Sequence, residues 1–390
     1  MTRRTPFHRA ATRTALPLIA ALVAMPALVS APTRATAQSA LQTQSLDQME
    51  SGQAGAAGVR SGSVIVAPIP IRNPTLGTGL ALGGGYLFKI DEGSDPSTIG
   101  LGALKTDNGS EAYAAGASLN FAGGRWSIKA GVGYADLNYD LYIGDTPFSI
   151  EQTGALGRLG LAYQWDDRWS VGIGLALIES RLGPNSGALP ADFAPDFGIS
   201  SLTADLVLGY DTRDDTIYPT SGVNASVKLG LGGATDSFGL GFLDDVDRTF
   251  GRMLAQVGAY VPVGRQGVLA TLFTACGVQD ETPFYLSCSL GGSDRFRGYP
   301  STRYIADTLV SVQMAYRGRI GESRLGYSVF AGAGRVADGV SQLGEAETLS
   351  AAGVGGRYRV SRKFPVDFAV DVASTHDGDI TTYIYVGQRF

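Results

Sequence analysis

The sequence predicts an all-β protein, a transmembrane β-barrel of about sixteen antiparallel strands. Three observations carry that prediction. Beyond residue 62, apolar and polar or small residues alternate with period two, as they do where one face of each strand meets lipid and the other faces an interior. The composition agrees: 54 glycines, 17 tyrosines and 16 phenylalanines accompany an apolar content of 44% that is dispersed rather than gathered into long runs. After the N-terminal region no apolar run approaches the length of a transmembrane helix, so a membrane-spanning chain of this kind must cross in strands.

Residues 1–37 read as a secretory signal peptide. Arg3, Arg4, Arg9 and Arg13 precede an apolar run from Ala15 to Val29, interrupted by Pro17 and Pro26, and Ala35-Thr36-Ala37 supplies a small-x-small cleavage site before Gln38. Residues 38–62 are small and polar, a short linker, and the barrel occupies residues 63–390. The net charge is −5. Because the leader holds arginines and no acid, the remainder is more acidic still, which excludes nucleic acid as a partner.

The first strand, Ser63–Ile71, carries Pro68 and Pro70; proline cannot donate to a ladder, so this segment belongs at an edge or a bulge. Thr78–Ile90 places Leu80, Leu82, Tyr86 and Phe88 on one face and Gly79, Ala81, Gly83 and Gly85 on the other, large outside and small inside. Thr98–Thr106, Glu111–Phe121, Trp126–Asp136, Ile150–Gln164, Trp169–Arg181 and Ile199–Tyr210 follow. Turn-rich connections separate them, including a longer tract around Tyr139–Pro147 and the long Gly183–Gly198. The second half gives Val223–Gly232, Arg248–Val261, Val268–Gly277, Thr308–Gly318, Arg324–Val336, Thr348–Val360, Val366–Ser374 and Ile380–Phe390. The total is even, as expected for a bacterial single-chain barrel. With both termini on one side, the even-to-odd connections come out short and the odd-to-even ones include the longest, Gly183–Gly198 and Asp280–Tyr304. Dropping the proline-bearing strand would invert that sorting across the first half.

Few residues suggest catalysis. The histidines are His8, in the leader, and His376, in the turn-like THDGD beside Asp377 and Asp379; no motif places a nucleophile with His376, which reads as a solvated turn residue. Asp211, Asp214 and Asp215 lack the spacing of a calcium loop and read as turn chemistry. Neither an enzyme nor a metal or other cofactor is expected. Cys276 and Cys288, close in sequence in an exported chain, read as a disulfide worth on the order of 3 kcal/mol. In the last strand Ile384, Val386 and the terminal Phe390 share a face, with Gly387 three residues before the end; this resembles the signal by which outer-membrane barrels are recognised for insertion.

Three stretches point further: Pro283–Tyr304 (PFYLSCSLGGSDRFRGYPSTRY), Tyr210–Gly222 (YDTRDDTIYPTSG) and Tyr383–Phe390 (YIYVGQRF). Together they resemble the barrel domain of the BamA/TamA superfamily, the bacterial surface antigen family, over nearly all of 63–390 and most specifically from Tyr210 onward. The resemblance implies that the long surface loop folds back into the lumen. Arg297, Gly298 and Tyr299 match the family's R-G-F/Y motif, preceded by Arg295, and Gly291, Gly292 and Pro283-Phe284 match the segment leading into it. Two positions depart from the family. An acid–x–arginine element is here Ala315-Tyr316-Arg317, and an aromatic–x–Asp–x–Gly element is here Phe330-Ala331-Gly332-Ala333-Gly334. With those carboxylates absent, Gln313, Asp367 and Asp371 are the lumen-facing candidates to receive Arg297.

The resemblance further implies an outer-membrane location in a Gram-negative bacterium. It implies a part in membrane-protein insertion or in protein or lipid translocation, through a weak seam between first and last strands. Implied partners are outer-membrane lipid and lipopolysaccharide, the barrel assembly machinery for the chain's own insertion, and unfolded clients or a periplasmic partner. The family's larger members carry periplasmic POTRA modules, for which 38–62 leaves no room, so a barrel-only member is expected. The alternative is a passive channel or structural surface barrel, which would show an unobstructed lumen.

Overall fold

A computed structural model describes residues 62–185, 197–216, 218–238, 245–292, 294–360 and 367–388. The expected signal peptide, the linker up to residue 61 and the terminal Phe390 lie outside them. The first half folds as β1 (Ser63–Asn73), β2 (Gly77–Phe88), β3 (Ser97–Thr106), β4 (Glu111–Phe121), β5 (Trp126–Ile143), β6 (Thr146–Gln164), β7 (Trp169–Pro184) and β8 (Phe197–Asp211). The second half adds β9 (Gly222–Phe238), β10 (Val246–Val263), β11 (Gly267–Val278), β14 (Thr308–Arg319), β15 (Leu325–Ala337), β16 (Leu349–Arg359), β17 (Asp367–Thr375) and β18 (Ile380–Val386). These sixteen form one closed barrel in which each strand lies beside its neighbour in sequence, β11 passing to β14, and β1 meeting β18. Between β11 and β14, two short strands, β12 (Cys288–Leu290) and β13 (Tyr304–Ala306), make a separate hairpin inside the long loop.

The strand count is the expected one; several boundaries move by one to three residues, and three differences are larger or change the reading. The tract Tyr139–Pro147, expected as a connection, is ladder: β5 and β6 pair out to Ile143 opposite Thr146 around the turn Gly144-Asp145. Gly144 takes the positive φ (62°) that a two-residue hairpin turn needs. Secondly, β9 continues past Gly232 to Phe238. Thirdly, β18 ends at Val386: Gly387 makes a last ladder bond, its N–H to the Asp367 carbonyl at 2.8 Å, and its φ of 101° then turns the chain away.

Alternation sets the two faces. Val64, Leu101 and Leu231 point outward and stay 66–74% exposed, with Leu80, Leu82, Ile99, Leu175, Val329 and Val354 around the same wall. Water-soluble surfaces rarely carry contiguous apolar patches above a few hundred Å²; this wall is built for lipid. At the mouth where β1 begins and β18 ends, here the terminal mouth, aromatic side chains gather: Tyr86 stacks on Phe88, Trp126 packs on Tyr163, Trp169 on Tyr210, and Tyr316 on Tyr327. Such girdles sit where hydrocarbon gives way to headgroups.

The ladder closes unevenly. β1 and β2 pair without a break from Ser63 opposite Leu87 to Asn73 opposite Gly77, straight across both prolines. An unbroken ladder through Pro68 and Pro70 requires their missing N–H groups to face away from β2, toward β18. On that side the pairing of the described residues is reduced to Arg72 opposite Ile384. Extending this register toward the terminal mouth would set Pro70 opposite Val386 and Pro68 opposite Gln388, two steps that lack donors.

Candidate functional site

The loop between β11 and β14 enters the barrel and is held there from both ends. Cys276, on the inner face of β11, is disulfide-bonded to Cys288 at the start of β12, with Cα atoms 5.8 Å apart. Tyr285 donates to Asp236 on β9, two strands along the wall from β11, at 2.9 Å. Beyond β12 the chain doubles back at Gly291 and Gly292, both at positive φ (144° and 94°), and the N–H of Gly292 bonds to the carbonyl of Tyr299. A Cβ on Gly291 would lie 2.7 Å from two carbonyl oxygens, those of Tyr299 and Pro300, so this close approach requires glycine.

Arg297 lies at the centre and is 1% exposed. Its Nη1 donates to Asp371 at 2.8 Å, its Nε donates to Gln313 at 3.0 Å, and the Gln313 amide returns a bond to the Arg297 carbonyl at 3.1 Å. The guanidinium also lies 3.9 Å above the ring of Phe330, a cation–π contact in a dry setting. Asp371 serves a second cation: Arg357 on β16 binds both of its oxygens, and Tyr385 on β18 donates to it at 2.7 Å. The neighbours of Arg297 follow suit. The Gly298 N–H donates to the Tyr383 hydroxyl at 2.9 Å, and the Tyr299 hydroxyl donates to the Ser350 carbonyl at 2.9 Å. The loop thus ties β14, β16, β17 and β18 into one block.

Of the three receivers expected for Arg297, Gln313 and Asp371 act as such. Asp367 does not: it lies two repeats of the alternation closer to the terminal mouth, where Arg319 and Arg359 take it. The departures from the family pattern also acquire a physical account. On β15 a Cβ at Gly332 would sit 2.9 Å from the ring of Phe296 and 2.7 Å from the Val312 carbonyl, and at Gly334 it would sit 2.6 Å from Leu290. The glycine that stands where a carboxylate is usual makes room for the loop's own Phe296, and Asp371 supplies the missing charge.

His376 is more than a solvated turn residue, which corrects the expectation. Its Nδ1 lies 2.8 Å from the Tyr299 hydroxyl, and its Nε2 lies 2.8 Å from Asp377 and 3.2 Å from Glu347. Through the Tyr299 hydroxyl the ring pins the loop at the far mouth. Nearby, Asp307 carries its carboxyl pushed up to about 6, by burial and by the charges of Asp338 and Asp280.

One contact gave no signal in the sequence. The β8–β9 turn reaches into the terminal mouth, where the Tyr218 ring lies 5.1–5.5 Å from the guanidinium carbons of Arg317, Arg319 and Arg359. Arg317 also donates to the Pro219 carbonyl. The turn holds its shape as turn chemistry should: Asp214 accepts from the Thr220 hydroxyl and from the N–H groups of Thr220 and Ser221. Burial pushes its carboxyl up, but those bonds outweigh it and bring it down to about 2. Arginine at the Arg317 position was visible as a family element; its use of a carbonyl and aromatic faces in place of a carboxylate was not.

Gly298 offers a test of docking. It sits at φ 140°, and a Cβ there would run into the Cβ of Ala351. Gly298→Ala is expected to cost about 1–3 kcal/mol of backbone strain and to expose the loop to trypsin at Arg297 and Arg303. An unchanged urea midpoint with the loop still protected would show that the glycine is not required.

The comparisons with known proteins agree with this geometry. Among curated proteins none matches the chain by sequence. Of solved structures, BamA from Haemophilus ducreyi lacking POTRA domains 1–3 is similar with a TM-score of 0.54 at 15% identity, over 84% of this chain and 70% of that one. CdiB from Acinetobacter baumannii is similar with a TM-score of 0.55 at 10% identity, over 84% of this chain and 60% of that one. CdiB from Escherichia coli gives 0.51 at 14% identity, over 88% and 70%. At these identities the likeness is one of fold. The Omp85 superfamily domain matches residues 110–390, which hold the docked loop, the arginine network and the last strand, and the chain belongs to that superfamily.

Proposed function

We propose that the protein is an outer-membrane barrel that assists the insertion or translocation of other polypeptides at its β1–β18 seam, and that it is not an enzyme. The observation that carries this reading is the seam itself, paired among the described residues at Arg72 and Ile384 alone. Elsewhere in a lipid-exposed wall every backbone group needs a partner, at a cost of several kcal/mol for each one left open. Edges facing each other with two prolines between them are therefore the place where the wall yields most readily, and where an incoming strand gains most by pairing. The docked loop supports the reading from the other side. By bracing β14, β16, β17 and β18 it keeps the β18 edge in place, and it meets the first hairpin at the β1–β2 turn, Ser301 against Thr75 at 3.5 Å.

The similarity to BamA and CdiB barrels is consistent with this role, and the partners that follow are outer-membrane lipid, an unfolded client and the assembly machinery that inserts the barrel itself. A passive channel would need an unobstructed lumen, whereas the loop fills the β11–β18 side. The test is the folding rate of a urea-unfolded reporter barrel into liposomes, with and without this protein reconstituted. Faster folding in its presence is the expected result. No acceleration, with steady ion conductance across the same liposomes, would reject the reading in favour of a channel.

A further inference from the structure

The wall leaves the seam thinly paired, but the loop reaches over it at the far mouth. Around that rim the turns follow the order of the strands, so the β17–β18 turn and the β1–β2 turn flank the seam. The β5–β6 tip stands two turns beyond the β1–β2 turn. The stretch Ser301 to Tyr304 touches all three. The hydroxyls of Ser301 and of Thr75 in the β1–β2 turn are 3.5 Å apart. Tyr304 donates to Asp377 in the β17–β18 turn at 3.2 Å. Arg303 donates from Nη1 to Asp379 of the same turn at 2.6 Å, and from Nη2 to Asp145 at the β5–β6 tip at 3.3 Å.

The two arms of Arg303 differ in strength. On the last hairpin, which the docked loop already braces, it faces two carboxylates, Asp379 at 2.6 Å and Asp377 at 3.6 Å. On the β5–β6 side it has Asp145, whose side chain is 92% exposed, and the Tyr142 ring at 5.8 Å. An exposed ion pair and a cation–π contact of this length are each weak, and salt screens the ion pair. The tip is therefore where the clasp lets go first. The ladder places the rest of the closure at the same end. Arg72, which pairs with Ile384 across the seam, is one residue from the end of β1 at the β1–β2 turn. Because β1 to β6 are one continuous ladder, swinging β1 away from β18 carries the β5–β6 tip away from the last hairpin.

We propose that Arg303 is a salt-sensitive latch on the seam: it clasps the β5–β6 tip to the β17–β18 turn across the far mouth, and its release from Asp145 lets β1 and β18 part. As regulation of an insertion activity this rests on the seam reading above, whereas the clasp and the parting of the strands are measurable without a client.

The test is pulsed electron double resonance in liposomes with two pairs of spin labels. Phe148→Cys with Ile380→Cys reads the clasp, and Val66→Cys with Val372→Cys reads the seam. All four side chains are exposed, and no free cysteine among the described residues competes for the label. Arg303→Gln, Asp145→Asn and the two together are compared with a surface control, Lys105→Gln, at low and high salt. With the arginine in place at low salt, the clasp pair gives one narrow distance. Arg303→Gln is expected to broaden it and to raise the parted population at the seam about two- to fivefold. High salt should do the same to the protein with its arginine, and Lys105→Gln should change neither pair. Asp145→Asn should reproduce most of the effect and add little to Arg303→Gln, a non-additivity that a general loss of stability does not produce. A clasp distance indifferent to Arg303→Gln, or a released clasp above an unchanged seam, overturns the latch. Folding of a reporter barrel is followed separately. No acceleration by the unaltered protein rejects the seam activity and leaves the label distances to decide the latch, whereas acceleration that Arg303→Gln fails to raise counts against the latch alone.

Discussion

Asp371→Ala is expected to destabilise the barrel by about 3–5 kcal/mol or more, the range for breaking a buried ion pair by removing one partner. It should also cost more than Arg297→Ala. The asymmetry follows from the wiring. Asp371 is fully buried and receives Arg297, Arg357 and Tyr385. Deleting Arg297 leaves Asp371 still held by Arg357 and Tyr385, while deleting Asp371 leaves two guanidiniums facing each other in the lumen. Urea unfolding in detergent micelles, followed by tryptophan fluorescence, measures both. Adding Arg357→Met to Asp371→Ala should recover part of the loss, because it removes one of the stranded charges. Equal midpoints for the two single variants would show that the three-way network does not govern stability.

The second large effect concerns the seam. Replacing Pro68 and Pro70 together by valine restores two donors on the β18 side of β1, at positions that would face Gln388 and Val386. Each recovered hydrogen bond contributes about 0.5–1.5 kcal/mol, so seam opening should become about 5- to 150-fold rarer. Two readouts should move in opposite directions: the temperature of the heat-modifiable transition rises, and assisted folding of a reporter barrel falls. A cysteine pair at Arg72 and Ile384, oxidised across the one pairing among the described residues, should push the same readouts further. Assisted folding that stays at wild-type rates with the seam locked would separate the activity from the seam.

Much of this molecule was legible before its coordinates, and what was missed has physical causes. Strands of the wall show themselves because lipid on one face and a small-residue lumen on the other enforce period two, as in Leu80, Leu82 and Tyr86 against Gly79, Ala81 and Gly83. Both prolines were readable as an edge because the missing donor is a property of the residue itself. The far ends of β5 and β6 were not, since above the membrane the outward face meets water and residues such as Asn138, Asp140 and Ser149 blur the alternation into turn-like chemistry. The hairpin of β12 and β13 is three residues on each side, too short to show a period. Gln313 and Asp371 were identifiable by parity alone, but parity could not separate Asp371 from Asp367. That choice depends on depth along the barrel, which the register fixes and the sequence does not display. Tyr218 was invisible for a related reason: no local pattern announces that a turn will bend inward to meet arginines on strands far along the chain, Arg317, Arg319 and Arg359.

Strand length varies around the wall, and this has a consequence for the membrane as a whole. β6 runs for 19 residues while β17 and β18 run for 9 and 7 among the described residues. At roughly 3.3 Å per residue, the short side is at or below the 9–11 residues a tilted strand needs to span a bilayer. Mismatch costs fractions of a kcal/mol per ångström of thickness; the extra length of β6 rises into water, so lipid is drawn shallow beside the seam and keeps its ordinary depth on the longer flank. A cylinder has no heading within its membrane; this barrel does, and neighbours that prefer thin bilayer will collect on the one side where its wall can open.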